Sequence, residues 1–473
     1  MTKEKIQRYG MQVLIWGVVV GFTILYISLI FSHNIWTDEA FTIQLLRSGG
    51  FREIIEGTAA DVHPPLYYIY LKIFTAIFGD SLPAMKIASI IPLTATLVLG
   101  ATVVSKKFGD ITAFLYVLFL ACIPCSMEFS VQIRMYSLAV FFVTVCGIYA
   151  YSAFHDGKLK DYVLIGVSGV LAAYTHYFAF ISVIVIMAFL FIAFLIWDRE
   201  KLKPFFVTAI CMTVMYIPWF PSFYKQVMSV NAGYWIPEIT PEYVWSYFTW
   251  TFDLSVVPGV VFCFLVLLKA ISTHNTIAIA RDRGEKEIYA LACMLVPTVT
   301  MLTGVIISYY STPIYRDQYI FPSLALLALF FGLALRNATK IILIFVSAFL
   351  VLVGAGQYKE CYHQEYTSTL LPQTERFLEA CMSSDDIIIY NFEAFGFIYE
   401  IQFEHEFPDV RIEYSGEFDF SQEFNTVWFF DTEWQPDLDE ELLEANGLVM
   451  EPMGHYGIEH NEFDIYRIYR IEP

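Results

Sequence analysis

Apolar runs of 15 to 23 residues recur along the first 355 positions, each closed by a short polar turn. They lie at about 11–32, 83–105, 111–129, 135–154, 161–175, 177–197, 204–221, 255–271, 288–308, 318–335 and 340–355. A helix needs about 20 such residues to cross a hydrocarbon layer about 30 Å thick, so the pattern predicts eleven transmembrane helices. The run "PLYYIYLKIFTAIFG" (65–79) is only fifteen residues, and counting it as a crossing would put Lys106 and Lys107 outside and invert every later loop. It reads as an amphipathic helix lying on the membrane surface, inside one long first loop, 33–82. The opening run has no small-residue cleavage site and is followed by further spans, so it reads as a retained anchor.

Beyond residue 355 the pattern changes. Residues 356–473 carry 27 Asp and Glu against 5 Lys and Arg, whereas residues 1–355 hold 20 acids and 23 bases. The net charge of −19 therefore belongs to the tail. Two domains follow: a membrane body, 1–355, and an acidic, water-soluble domain, 356–473. Along 372–473, helical signals ("PQTERFLEACM", "FGFIYEIQFE", "DLDEELLEANG") alternate with strand signals ("DIIIY", "RIEYS", "TVWFF", "FDIYRIYRI"). That alternation predicts a small α/β domain. Its acidity repels anionic polymers, so no nucleic-acid partner is expected.

Basic residues fix the expected orientation. With the N-terminus in the cytoplasm, 16 of the 23 Lys and Arg of the membrane body fall in cytoplasmic segments, the bias that sets topology. Eleven spans then place the acidic domain outside the cytoplasm. The expected location is the cell membrane, crossed many times. Cys122 and Cys125 form a CxxC within an apolar run with no metal partners nearby, which reads as packing. Cys361 and Cys381 are free to pair outside the cell, although nothing in the sequence requires it.

Polar residues that are costly at membrane depth gather at the outward turns, and such residues mark functional sites. Asp38 and Glu39 follow the first span, with Asp61 and His63 later in the same loop. "SMEFSVQIRMYSLAVFF" supplies Glu128, Gln132, Arg134 and Tyr136; "AAYTHYFAF" supplies His176 and Tyr177; "YYSTPIYRDQYIFP" supplies Arg316 and Tyr319. Tyr and Trp at span ends also serve as interfacial anchors, the ordinary role of Tyr234 and Trp235. An arginine there can snorkel to headgroups. A carboxylate pair with no basic neighbour in sequence has no such use, which singles out Asp38 and Glu39.

An Asp-Glu pair opening the first loop, "HPPLYY" near its end, then "RMYSL", "YTHYF" and "YRDQYIFP", together resemble the C-type glycosyltransferase superfamily. The chain is most similar to its protein mannosyltransferase and aminoarabinose transferase branch, bacterial family 39-like members included, over roughly residues 10–335. The resemblance implies a membrane enzyme that takes a sugar from a polyprenyl-phosphate carrier and adds it to an extracytoplasmic glycan, lipid or protein. It implies Asp38 as the catalytic carboxylate with Glu39 as companion, and Arg134 and Arg316 on the carrier phosphate. Asp61, His63, Tyr136, His176, Tyr177 and Tyr319 are then substrate-binding candidates. No cofactor is expected, and a divalent metal at Asp38 and Glu39 is not favoured. The sequence lacks the large lumenal insert of the mannosyltransferases proper, which leaves the acceptor open.

Chemistry gives the same division of labour. Transfer from a lipid phosphate needs a base for the acceptor hydroxyl and cations for the departing phosphate. Guanidinium suits the second task because it binds bidentately and stays charged. No Gly-rich phosphate loop follows a strand, so no nucleotide-sugar site is expected. The competing class is a transporter or flippase of lipid-linked saccharides. Such a protein carries midplane charges in two related halves, whereas here the charges cluster on one side.

Overall fold

The structure is a computed structural model that describes residues 3–231, 236, 238–240, 284–367, 370–392, 396–403, 407–432, 438–458 and 461–470. In chain order its helices are α1 (Lys3–Ile27), α2 (Thr37–Arg47), α3 (Phe51–Ala60), α4 (Leu66–Phe78), α5 (Leu82–Phe108), α6 (Asp110–Cys122), α7 (Pro124–Val131) and α8 (Tyr136–His155). Then come α9 (Leu159–Thr175), α10 (Tyr177–Trp197), α11 (Leu202–Tyr216), α12 (Phe220–Asn231), α13 (Glu285–Tyr310), α14 (Phe321–Leu335) and α15 (Lys340–Tyr366). The tail adds α16 (Leu371–Cys381), β1 (Ile387–Tyr390), α17 (Gly396–Phe403), β2 (Arg411–Tyr414), β3 (Val427–Asp431), α18 (Glu440–Ala445), β4 (Leu448–Ile458) and β5 (Asn461–Arg470). Two compact units result: Met1–Ile30 with Gly50–Lys359, and Phe31–Gly49 with Glu360–Pro473.

The first unit is a helical membrane body. Among the described residues, eight helices are long and apolar enough to cross a membrane, and α6 with α7 makes a ninth if that bent pair is one span. Of the other expected spans, 161–175 folds as α9, whose 17 residues fall just short, and 255–271 lies outside the described residues. Residues 65–79 form α4, whose 13 residues reach only about 20 Å at 1.5 Å per residue, too short to cross.

One expectation needs correction. The run 111–129 is not a straight helix: α6 and α7 meet at 65°. Pro124 has no N–H to continue the helix, and a proline pushes the residue before it into extended conformation. Ile123 takes that conformation, at φ −63° and ψ 130°.

Helices α8 and α14 lie at the centre of the bundle and are largely buried. Two glycines let α14 approach its neighbours. A Cβ on Gly147 would stand 2.6 Å from Leu326, and one on Gly332 would stand 2.7 Å from the Thr112 carbonyl oxygen. Small residues at membrane helix crossings serve this close approach.

The basic residues gather at one end of the bundle. His155 at the end of α8 pairs with Glu285 at the start of α13, and Arg336 just past α14 pairs with Glu287. Lys201 Nζ donates to the Phe154 carbonyl at 2.6 Å. Since α8 has 20 residues, about 30 Å of helix, its first residue, Tyr136, stands a bilayer's depth from this end.

The second unit contains a five-stranded sheet of order β2-β1-β3-β5-β4. Strand β1 pairs parallel with β2 and β3, while β5 runs antiparallel to β3 and β4. The central strands are apolar on both faces, as buried parallel strands must be. Ile387, Ile389, Val427 and Phe429 pack with Phe418, Phe420, Leu443 and Leu448 on one face. On the other, Phe430 meets Tyr399 and Phe403 of α17, and Trp428 meets Phe377 of α16. Strand β4 is an addition to the expected elements. Pro452 and Gly454 look like breakers in its sequence, but the ladder absorbs them in a bulge, with Gly454 at φ 135° where only glycine is at ease.

Candidate active site

Helix α3 ends at Asp61, and two prolines, Pro64 and Pro65, separate it from α4. With φ fixed at both prolines and no N–H to donate, the turn holds His63 in place. Its Nδ1 meets Asp61 Oδ2 at 2.7 Å and its Nε2 meets Arg134 Nη2 at 3.2 Å. A guanidinium can only donate, so Nε2 is the acceptor and the imidazole proton sits on Nδ1, facing Asp61. Burial alone would push the Asp61 carboxyl up. The hydrogen bond from His63, the Val62 N–H and the Arg134 charge outweigh it and hold the group below the ordinary carboxylate value.

Arg134 lies in the bend between α7 and α8 and is only 2% exposed. Its backbone N–H closes on the Gln132 carbonyl at 2.7 Å, and its Nη1 reaches Tyr68 Oη at 3.4 Å. Two residues on, Tyr136 faces the His176 ring at 5.6 Å, and His176 faces Tyr319 at 5.2 Å. His176 caps α10, its Nδ1 accepting the Phe178 N–H at 3.1 Å. Burial, then the positive charge of Arg134, holds its pKa well below the usual histidine value, so it is a neutral imidazole with its proton on Nε2.

Tyr177 belongs to a second polar chain. Trp219 Nε1 donates to Tyr177 Oη at 3.2 Å, Tyr177 is hydrogen-bonded to Gln226, and Gln226 Nε2 donates to the Thr58 carbonyl at 2.7 Å. This chain ties α12 to the last turn of α3, just before Asp61. Arg316 stands half-buried before a 3-10 turn in which the Tyr319 N–H bonds its carbonyl at 3.0 Å.

Both chains border one cavity of about 450 Å³. Its polar end carries His63, His176, Tyr177, Gln226 and Tyr319; its remaining wall includes Ile181, Ile184, Phe223, Val227 and Ile307. A second cavity of about 540 Å³ shares Phe180, Ile184 and Phe223 with the first and is almost wholly apolar, with Val170, Met187, Phe191 and Met212 along it. The first cavity thus has polar groups that the second, its apolar neighbour across shared walls, lacks.

Asp38 and Glu39 lie in the second unit, in the first turn of α2. Glu39 is 4% exposed and accepts the Trp36 N–H at 3.2 Å, capping the helix; Asp38 is half-buried. The structure thus joins Asp61, His63, Arg134, Tyr136, His176 and Tyr319 in the first unit, with Tyr177 on the same cavity. Among the described residues, no three His, Cys, Asp or Glu side chains are grouped as a metal ion requires. Sequence reasoning missed Trp219, Gln226 and Thr58. The polar pair Lys225 and Gln226 in "FYKQVMSV", just past an apolar run, was the only signal.

Residues 62–225 match the family model described as dolichyl-phosphate-mannose-protein mannosyltransferase. The comparison with curated proteins finds no match. Among solved structures, ArnT from Cupriavidus metallidurans in the apo state superposes with a TM-score of 0.62 at 12% identity, over 97% of this chain and 98% of that one. The same protein bound to undecaprenyl phosphate gives a TM-score of 0.58 at 11% identity, with the same coverage. The chain shares the fold of that protein. This fold spans the membrane body and the small α/β domain alike, as the sequence predicts. Within the membrane body, the family match takes in His63, Arg134, Tyr136, His176 and Tyr177, and leaves Asp38, Glu39, Arg316 and Tyr319 outside its limits.

Proposed function

We propose that this protein is an integral-membrane glycosyltransferase that moves a sugar from a polyprenyl-phosphate carrier to an acceptor outside the cytoplasm. The carrying observation is the buried Arg134, bonded through His63 to the polar end of a cavity whose remaining wall is largely apolar. A lipid phosphate has that same division, and the matching ArnT structure was solved with undecaprenyl phosphate. In this reading Arg134 and Arg316 hold the phosphate, aromatic rings at Tyr136 and Tyr319 flank the sugar, and the prenyl chain follows the apolar wall.

Asp38 takes the proton of the acceptor hydroxyl as its oxygen forms a bond to the anomeric carbon. The bond from that carbon to the phosphate oxygen breaks, and its electron pair leaves with the polyprenyl phosphate. Glu39 holds the helix that carries the base. The basic end of the bundle faces the cytoplasm, and the site and the acidic domain face outward.

The test is replacement of Asp38 by Asn, which keeps size but cannot take the proton. In a deletion strain complemented with Asp38→Asn, mass spectrometry of cell-envelope glycans should show product formation cut on the order of 10²–10⁴-fold, with expression and thermal stability unchanged. Wild-type product from a folded Asp38→Asn protein removes the base from this scheme.

A further inference from the structure

The acidic domain lies about 320 residues downstream of Asp38 in sequence, yet residues Phe31–Gly49 fold with it as one compact unit. Two connections make the link. Ahead of α2, Ser32 Oγ donates to the Glu365 carbonyl at 3.0 Å, and the Asn34 N–H returns to Ser32 Oγ at 3.1 Å. Helix α2 itself packs against α17.

The surface of α17 shows where. Tyr399 and Phe403 turn to the sheet, stacking on Tyr390, Phe430 and Phe463. A single helical face would leave the far side wet. Instead Ile398, Ile401 and Gln402 are also buried, at 0%, 7% and 5% exposure, and their i, i+3, i+4 spacing defines a second stripe about 140° round the helix. Helix α2 answers with an apolar side of its own, Ala40, Ile43 and Leu46, all at most 2% exposed.

We infer that the acidic domain is the mount of the catalytic carboxylate: α17 holds α2, and through it Asp38, at the angle that transfer requires. The inference rests on the reading of Asp38 as the base. Ile398 and Ile401 are positioning residues in this account. They touch neither donor nor acceptor, and they act by fixing the helix whose first turn carries Asp38. The domain is then part of the enzyme's active geometry rather than a separate acceptor-binding module.

The experiment uses the full-length protein with Ile398→Ala and Ile401→Ala combined, and Ile398→Ala alone as a milder form. Hydrogen exchange of the α2 amides should accelerate at least about tenfold as local opening becomes easier. Envelope product should fall on the order of 10²-fold, the cost of a misplaced reacting group. Thermal stabilisation by undecaprenyl phosphate should stay at the wild-type level, and the double Val variant should restore product. Leu443→Ala, in the sheet core away from this seam, should loosen the domain without changing α2 exchange or product. Unchanged α2 exchange, or full product from loosened α2 while Asp38→Asn is inactive, overturns the inference alone. Full product from Asp38→Asn instead overturns the catalytic reading beneath it.

Discussion

His176 gives the sharpest physical test because its environment forbids a second proton. It is 4% exposed, and its Nδ1 already accepts the Phe178 N–H. Protonation would set a donor against that donor, in a buried site next to the positive charge of Arg134, both of which already depress its pKa. The unfolded chain carries no such constraint and titrates near 6.5. Below that pH the unfolded state binds more protons than the folded one, so stability rises with pH and is lost as pH falls through the unfolded value. The loss follows RT ln(1 + 10^(6.5 − pH)): about 0.2 kcal/mol at pH 7, about 1.4 at pH 5.5 and about 2 at pH 5, continuing until His176 itself takes the proton. The perturbation is His176→Gln, whose amide oxygen can keep the Phe178 cap but cannot titrate. Thermal unfolding in detergent, followed by tryptophan fluorescence between pH 7.5 and pH 5, should show the wild type losing about 2 kcal/mol more than the variant. Parallel curves would refute the reasoning, as would an acid limb of product formation near pH 6.5 that vanishes in His176→Gln. Either result would mean that the folded histidine titrates normally.

Other outcomes follow from the same geometry. Arg134→Ala should weaken undecaprenyl phosphate binding by about 1.5–3 kcal/mol, the worth of a hydrogen bond to a charged group. Arg134→Lys should recover only part of that loss, since it keeps the charge without the fork; ligand-induced thermal shifts read both. Gln226→Leu should cost about 1–3 kcal/mol of thermal stability by leaving the Thr58 carbonyl without its donor, and faster exchange at the end of α3 should accompany it. For topology, a reporter fused after Lys160 should be active only in the cytoplasm and one fused after Pro473 only outside; a cytoplasmic signal from the second would invert the site's orientation.

Much of the membrane body was legible because hydrocarbon tolerates no unsatisfied backbone, so each crossing writes itself as a continuous apolar run. The strands of the tail could be read for a related reason: "IIIY" and "VWFF" are buried on both faces and apolar throughout. Strand β4 failed that rule because it lies at the sheet edge, is largely exposed through its middle and carries Pro452 and Gly454. In the site, Asp61 and His63 could be linked from sequence, being two residues apart. The contact of Gln226 with Thr58 spans 168 residues, and no local pattern encodes it. The same holds for α2, whose alliance with α17 is a tertiary fact.

Why a histidine should stand between Asp61 and Arg134 can be argued from charge. A carboxylate bonded directly to the guanidinium would orient it well but would neutralise it and repel a phosphate. With His63 between them, Asp61 Oδ2 and Arg134 Nη2 are held apart by the width of an imidazole and two hydrogen bonds, of 2.7 and 3.2 Å. The carboxylate fixes the Nδ1–H tautomer, and the tautomer in turn presents a neutral lone pair to the arginine. Orientation thus reaches Arg134 while most of the negative charge stays behind. The guanidinium is left pre-ordered, buried and positive behind His63, which lines the polar end of the cavity, and there the low dielectric strengthens its pull on an anion. On the proposed reading, that residual charge is what draws the lipid phosphate into place, and the acceptor-activating carboxylate belongs on a different mount for the same reason. A base bonded to Arg134 would compete with the phosphate for the guanidinium, so on that reading the proton goes to a carboxylate outside this chain of hydrogen bonds.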